Sequence, residues 1–313
     1  MLLDPWLNRI LSSFAIAAFV IVKCEPMSKT KLVPVKTSSV LPNVNTTKGI
    51  IQGVIYKTEK GIFAYGFQGI PYAEPPLGHY RFLAPKTKKR WHGILKADYT
   101  RPACIQIQPH RFSSEDCLYL NVFTPSWDLK AGGHRQSYKV VYYIHSSSWE
   151  FGSINAYPIE TILDNFVSRS IIFVMPSYRL GAFGFFTSGS SLIPSNAALK
   201  DILAGLKWIN DEIAGFGGDP STVTVMGYGS SGQAASLLSM SPAANGLLSQ
   251  IIAMSGNAFT PGTLCEDGSD LMAYKKLAEQ MGCNSDFAWE FKRFHDVSVS
   301  VYPVEDQDFP LEI

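Results

Sequence analysis

The sequence predicts an α/β fold in which helices cover a parallel β-sheet. Three observations support this prediction: continuous apolar runs, a helical period between two of them, and a glycine-rich turn before the third. The runs are VVYYIH (140–145), IIFVMPSY (171–178), VTVMG (223–227) and IIAMSG (251–256). Strands without polar alternation are buried on both faces, and such strands are typical of parallel sheets.

A helix is predicted between the second and third runs. Its apolar residues recur three or four positions apart from Leu199 to Ile213, and Ser195 or Asn196 precedes them as the N-cap. The FGGDP turn (216–220) then ends the helix and returns the chain to the sheet. A strand, a helix and a second strand in this order form a parallel crossover unit.

Shorter strands are predicted before these runs. From Gly49 onward, the segments GIIQGVIYKT and GIFAYGFQGIPYA carry strand-forming residues and are separated by a turn near 59–61. Residues 25–48 are polar and contain several Pro, Ser, Thr and Lys residues. This composition predicts a flexible lead-in to the folded domain.

The N-terminus predicts a signal peptide over residues 1–24. The apolar run ILSSFAIAAFVIV (10–22) follows Arg9 and is too short to span a bilayer. Cleavage is expected after Cys24, and a retained signal anchor is the alternative. The protein is therefore expected to be secreted, or membrane-tethered if the signal is retained, with no further membrane span.

The cysteines fit an oxidising compartment. Once Cys24 leaves with the signal peptide, an even number remains: Cys104, Cys117, Cys265 and Cys283. Four cysteines predict two disulfides and allow three pairings. No CxxC motif or paired histidine accompanies them, so neither a metal site nor a cofactor is predicted.

The charged residues and one glycosylation sequon predict properties of the protein surface. Lys and Arg number 27 and Asp and Glu number 26, which predicts neither a basic nucleic-acid surface nor a polybasic membrane patch. The sequon NTT at Asn45 lies in a polar stretch. This predicts a glycosylated asparagine on the surface.

Several long motifs resemble those of the type-B carboxylesterase family, which includes esterases, cholinesterases and neuroligin-like adhesion proteins. They are FQGIPYAEPPLGHYRF, SEDCLYLNVFTP, SYRLGAFGFF, FGGDPSTVTVMG and AMSGNAFTPG. The resemblance implies an α/β-hydrolase fold over residues 49–313 that is truncated before the last sheet strands. It also implies a Cys104–Cys117 disulfide and a salt bridge between Arg81 and Glu115.

The segment VTVMGYGSSGQAAS (223–236) resembles the G-E-S-A-G elbow that holds the family's nucleophile. Gly227 keeps its place, Tyr228 replaces the glutamate, and Gly229 occupies the serine position. Small residues must stand two before and two after the nucleophile, and only position 229 meets this requirement. Neuroligin-like members of the family resemble this chain in carrying glycine there.

Other parts of the family's catalytic machinery also differ. The H-G-G-G motif becomes IHSSSWEFGS, and the resemblance places Ser147, Ser148 and Ser230 at oxyanion-hole positions. Serine disfavours the positive φ values that glycine adopts freely. The family's acid and histidine follow on later loops, and this sequence ends at Ile313 before those segments.

Together these features predict a secreted, carboxylesterase-like protein without an intact catalytic site. Its expected role is binding or adhesion, with a protein partner or a small ester-like molecule as the ligand. Two alternatives remain open. One is an active carboxylic-ester hydrolase with a displaced serine, Ser230 or Ser231, and the other is a non-functional truncated product.

Overall fold

A computed structural model describes most of the chain between residues 41 and 264. The predicted signal peptide, residues 25–40 of the lead-in, Ser147, Cys265 and Cys283 lie outside the described residues. The described residues are 41–58, 60–106, 112–127, 137–145, 148–188, 193–264, 274, 276 and 279.

The described elements follow one another in the order that an α/β fold requires. The strands are β1 Asn43–Asn45, β2 Ile50–Gln52, β3 Val54–Lys57, β4 Phe63–Pro71, β5 Ile94–Lys96, β6 Ala103–Cys104, β7 Ser113–Ser114, β8 Tyr119–Pro125, β9 Tyr138–Ile144, β10 Ile171–Pro176, β11 Gly218–Tyr228 and β12 Gln250–Met254. The α-helices are α1 Ile159–Asn165, α2 Gly181–Phe185, α3 Ala197–Glu212 and α4 Ser230–Met240. Short 3-10 helices cover Gly78–Tyr80, Ile154–Ala156, Val167–Arg169, Ile213–Phe216 and Pro242–Ala244.

The main sheet of the described residues has seven strands in the order β12-β11-β9-β10-β8-β4-β3. The four strands from β12 to β10 are parallel to one another, which confirms the prediction from the apolar runs. Strands β8, β4 and β3 extend the sheet with antiparallel pairs. The sheet is therefore mixed, with its parallel part nearest the predicted elbow.

Strands β9 and β10 are buried on both faces, as expected for strands without polar alternation. The same expectation is wrong for β11, where Val223, Val225 and Gly227 are buried but Thr224 and Met226 are half-buried. On β9, Val140 and Tyr142 pack into the larger hydrophobic cluster, which contains the apolar stripe of α3. Val141, between them, packs into a second cluster together with Ile162 and Leu163 of α1. Helices on opposite faces thus sandwich the sheet and confirm the α/β class.

Helix α3 begins after Asn196, one of the two predicted N-caps. It lies close to β9 because Gly205 has no side chain: a Cβ there would come within 2.2 Å of the Tyr142 hydroxyl. That hydroxyl donates a hydrogen bond of 2.8 Å to the carbonyl oxygen of Ile202. Burial raises the pKa of Tyr142 well above its usual range, and the Asp201 carboxylate raises it further, so the phenol keeps its proton.

Two ion pairs connect loops beside the sheet, and one of them reaches Asp201 of α3. Arg179 binds Asp201 through two hydrogen bonds, Nε to Oδ2 at 2.7 Å and Nη2 to Oδ1 at 2.6 Å, and both side chains are buried. Arg179 Nη1 also donates to the carbonyl oxygen of Arg81 at 2.9 Å. Arg81 in turn binds Glu115, with Nη2 to Oε1 at 2.8 Å, which is the pair that the resemblance implies.

The end of the predicted lead-in belongs to the fold. Strand β1 lies within residues 41–48, and its Val44 is fully buried. Thr47 donates from its backbone N–H at 2.9 Å, and from its hydroxyl, to the carboxylate of Glu212 at the end of α3. The prediction of a flexible segment is therefore wrong for these residues, because the buried Val44, the pairing of β1 with β2 and the contacts of Thr47 fix them to the domain.

Strand β12 also departs from its prediction. It pairs with β11 through residues Thr224–Tyr228 and forms the edge of the described sheet. Ile251 and Ile252 remain 36% and 43% exposed. The expectation that this run is buried on both faces is therefore wrong in the described structure.

Candidate functional site

The candidate site is the turn between β11 and α4. Strand β11 ends at Tyr228, helix α4 begins at Ser230, and Gly229 alone connects them. Gly229 has φ 60° and ψ −124°, a conformation that residues with a side chain rarely adopt. Its N–H donates to the carbonyl oxygen of Met254 at 2.8 Å, which ties the turn to β12. The described fold therefore contains the predicted strand–turn–helix unit, with Gly229 at its apex.

The small residues around the apex are required by close contacts. A Cβ on Gly227 would come within 2.1 Å of the carbonyl oxygen of Ser231. A Cβ on Gly232 would come within 2.7 Å of the carbonyl oxygen of Gly256. Both contacts are with backbone atoms, so neither position accepts a side chain without moving the strand or the helix.

The two serines after the apex have different surroundings. Ser231 is fully buried, and its hydroxyl donates to the carbonyl oxygen of His145 at the end of β9. Ser230 is half-buried, and its buried Oγ atom has no hydrogen-bond partner among the described residues. Nucleophilic serines need a base in contact with the hydroxyl, and in the described residues neither serine has one.

The loop after β9 carries Ser148, one of the predicted oxyanion-hole positions. Ser148 and Trp149 have φ values of 47° and 65°, so the chain keeps a left-handed turn without glycine. Such residues cost of order 1–3 kcal/mol each, and surrounding contacts must offset this strain. Trp149 is buried and donates from Nε1 to Oε1 of Gln233 at 3.2 Å, and its carbonyl oxygen accepts from Gly181 N–H at 2.7 Å. The loop is thereby held against the first turn of α4, which begins with Ser230.

His145, the residue before this loop, is buried in a stacked arrangement. Its ring lies 4.5 Å from the ring of Tyr178, and the two planes are 22° apart. Its carbonyl oxygen accepts hydrogen bonds from the hydroxyls of Tyr178, at 2.8 Å, and Ser231. These contacts assign His145 a packing role between β9 and the turn.

Other predicted site residues lie away from the elbow. The structure contains a Cys104–Cys117 disulfide with a Cα–Cα distance of 5.0 Å. Asn45 of the sequon is exposed on β1, a position that an attached glycan can occupy. Within the described ranges, no group of three His, Cys, Asp or Glu residues is arranged to hold a metal ion. No helix of those ranges is long and apolar enough to cross a bilayer.

Several contacts of the site were not predicted from the sequence. They include the Trp149–Gln233 hydrogen bond and the Ser231 bond to the His145 carbonyl. The buried Arg179–Asp201 pair was also missed. The sequence contains a sign of this pair, because Asp201 lies among the apolar residues of the predicted helix and a buried carboxylate needs a partner.

Comparison with known proteins identifies relatives along most of this chain. Residues 41–297 match the model of the carboxylesterase family. Esterase FE4 of Myzus persicae is 34% identical over 252 residues, which cover 79% of this chain. Venom carboxylesterase-6 of Apis mellifera is 33% identical over 253 residues, and carboxylesterase 3 of Homo sapiens is 34% identical over 261 residues, covering 79% and 78% of this chain.

The chain spans less than half of these curated relatives. The matched residues cover 43% of esterase FE4 and 44% of each of the other two proteins. The family match implies an α/β-hydrolase fold, and the mixed sheet with helices on both faces agrees with it.

Proposed function

The chain belongs to the carboxylesterase family, and we propose that it is a noncatalytic member that acts by binding. Its proposed ligand is a protein partner or a small ester-like molecule. Its proposed location is outside the cell, reached through the signal peptide of residues 1–24 and consistent with the disulfide. This proposal applies to the whole protein and not only to the residues that the structure describes.

The glycine at the apex of the elbow carries this proposal. Ester hydrolysis at such an elbow needs an oxygen nucleophile on the apex residue, where the strained turn exposes it. Gly229 has a hydrogen atom in place of a side chain, so it has no oxygen that could act as a nucleophile. The close contacts of Gly227 and Gly232 hold the turn in one register, so a neighbouring residue does not move into the apex.

The neighbouring serines give little support to displaced catalysis. The Ser231 hydroxyl already donates to a backbone carbonyl in a fully buried position. Ser230 lacks a base within hydrogen-bond distance among the described residues. An alkoxide at either position would therefore form without a proton acceptor, which costs the general-base contribution of about 10²–10⁴-fold in rate.

Two exposed aromatic side chains, one beside the apex and one in the turn after β12, favour binding. Tyr228, immediately before the apex, is 53% exposed, and Phe259 in the turn after β12 is 67% exposed. Aromatic side chains are enriched in protein interfaces because they bury a large area with little loss of side-chain freedom. The intact ion pairs and disulfide meanwhile keep the framework that presents these residues.

Covalent labelling tests the loss of catalysis. The folded 313-residue chain and its Ser230→Ala and Ser231→Ala variants are treated with a fluorophosphonate probe, and adducts are measured by intact mass. An active esterase from the family serves as the positive control. We expect no adduct on the unmodified chain under conditions that label the control completely.

The variants identify the residue responsible if an adduct does form. A stoichiometric adduct that disappears in Ser230→Ala or Ser231→Ala would establish a displaced nucleophile and overturn the proposal. A Gly229→Ser variant adds the missing hydroxyl at the apex. Labelling of that variant alone would support the assignment of Gly229 as the cause of inactivity.

A further inference from the structure

The near-neutral charge of the whole chain hides a local excess of positive charge. Residues 75–97 contain six Lys or Arg residues and no Asp or Glu, whereas the rest of the chain has 21 basic and 26 acidic residues. Five of the six lie in Lys86–Lys96, in the sequence KTKKRWHGILK. We call this stretch the basic segment. The expectation from total charge that no basic surface exists is therefore incomplete.

The fold holds the start of the basic segment extended on the surface. Thr87 forms an antiparallel bridge with Ala73, and the Glu74 N–H donates to the carbonyl oxygen of Lys86 at 2.7 Å. Lys88 is neutralised, because its Nζ lies 2.9 Å from Oε2 of Glu74. The backbone is thus fixed by hydrogen bonds that do not use the other basic side chains.

Four basic side chains of the segment form no ion pair among the described residues. Lys86, Lys89, Arg90 and Lys96 are exposed, and the first three lie in the cationic run Lys86–Arg90. No carboxylate of the described residues lies within 4.0 Å of their charged nitrogen atoms, since the ion pairs found there involve other residues. Cations close together on an ordered backbone repel one another, and a polyanion reduces this repulsion without breaking an internal ion pair.

Neighbouring residues lengthen the positive surface. The Trp91 N–H donates to the carbonyl oxygen of Lys48 at 2.9 Å, which places Lys48 beside the end of the cationic run. At the other end, Lys86 Nζ lies over the ring of Tyr80, 5.1 Å from its centroid, and donates to the Tyr80 hydroxyl at 3.2 Å. These contacts hold the ammonium group at the end of the run. An extended chain rises about 3.3 Å per residue, so the backbone from Lys86 to Arg90 spans about 13 Å. This length suits an extended ligand better than a single small anion.

We propose that the basic segment binds a sulfated polysaccharide. Lysine ammonium groups and the Arg90 guanidinium form charge-assisted hydrogen bonds with sulfate oxygens, and a linear polysaccharide presents such groups along its length. The choice of a polysaccharide over a nucleic acid rests on the proposed secretion. Binding itself is independent of the elbow and of its lost chemistry.

Heparin serves as the probe, with the full 313-residue chain. Binding to immobilised heparin is measured as a function of salt for the unmodified chain and for the variant Lys86→Gln/Lys89→Gln/Arg90→Gln. The control variant Lys57→Gln/Lys139→Gln/Lys207→Gln removes the same charge from exposed lysines on β3, β9 and α3. Each charge contact contributes a little under one to the slope of log affinity against log salt, so the segment variant should lose roughly two to three.

The outcomes distinguish binding at the basic segment from nonspecific electrostatic attraction between heparin and the rest of the protein. Loss of binding in the segment variant, with at most a small loss in the control variant, supports the proposal. Equal losses in both variants, or unchanged binding in the segment variant, overturn it. Equally strong binding to single-stranded RNA or to phosphatidylserine vesicles overturns the assignment to a polysaccharide. An adduct with the fluorophosphonate probe would contradict the proposed function and leave this test unaffected.

Discussion

Strands β10 and β12 lie in the same sheet and have similarly apolar sequences, IIFVMP and QIIAM, yet their surroundings differ. Residues 172–176 of β10 are buried, whereas four of the five residues of β12 are exposed. Strand β10 lies between β9 and β8, and β12 forms the edge beside β11. An apolar run therefore shows that a strand can be buried, whereas the position of the strand in the sheet determines how much of it is buried.

The same contrast holds for the ion pairs. Arg179 and Asp201 are almost fully buried at the centre, whereas Lys88 and Glu74 are 25% and 20% exposed at the periphery. A buried charge that loses its partner is left in a medium of low dielectric, but an exposed one regains water. The same change therefore has different consequences in the two regions.

Breaking the central pair is expected to have the largest effect. The substitution Arg179→Met leaves the Asp201 carboxylate buried without its cation, and we expect a loss of about 3–5 kcal/mol in unfolding free energy. Urea denaturation followed by circular dichroism measures this loss. The double variant Arg179→Met/Asp201→Leu should recover most of it, because no unpaired charge remains. A loss below about 1 kcal/mol in the single variant would show that water reaches this pair.

A matched pair of isoleucine substitutions sharpens the comparison of the two strands. Ile172 of β10 is fully buried, whereas Ile252 of β12 is 43% exposed. We expect Ile172→Ala to cost about 2–5 kcal/mol, and Ile252→Ala to cost at most about 0.5 kcal/mol as a surface change. Both are measured by urea denaturation at one protein concentration. Equal losses would mean that another part of the protein covers β12.

The peripheral pair should give the smallest effect. Burial alone would raise the pKa of Glu74, but hydrogen bonds from the Lys88 side chain and the Lys89 N–H, with their charges, hold it below its usual value of 4.5. A lowered folded pKa adds stability that is complete above the usual pKa and disappears as the pH falls through the lowered value. Glu74→Gln should therefore cost about 0.2–1 kcal/mol at pH 7.

The pH dependence of the stability loss in Glu74→Gln shows whether the loss comes from the charge of Glu74. The difference between the unmodified chain and Glu74→Gln, measured by thermal unfolding, should shrink below pH 4.5 as Glu74 becomes protonated. A difference that stays constant down to pH 3 would mean that the charge of Glu74 contributes nothing.

Much of the fold could be predicted from local patterns. The apolar runs located β9 and β10 because burial on both faces removes the need for alternation. The run 223–227 located β11, although only its alternate residues, Val223, Val225 and Gly227, are buried. The period from Leu199 to Ile213 located α3 and its N-cap. The mixed character of the sheet was not predictable in this way, since strand direction depends on pairing between residues far apart in sequence. The exposure of Ile252 likewise depends on a neighbour that its own sequence does not specify.

The site was predictable where sterics act between near neighbours. Gly229 was placed at the apex because only that position has small residues on both sides, and the turn has this geometry. The contact between Trp149 and Gln233 was not predictable, because the two residues are 84 positions apart. The left-handed backbone of Ser148 was also unexpected, since its cost is offset by contacts that only the folded loop provides.

The crowding at Gly227 has a consequence for how protein sequences are sorted into functions. A side chain there would collide with the Ser231 carbonyl oxygen whether or not the apex residue reacts with anything. The glycine frame of such a turn is therefore a signature of architecture and persists on purely steric grounds. A search pattern built on that frame therefore recognises the architecture of the turn whatever residue stands at the apex, and the apex residue has to be read separately.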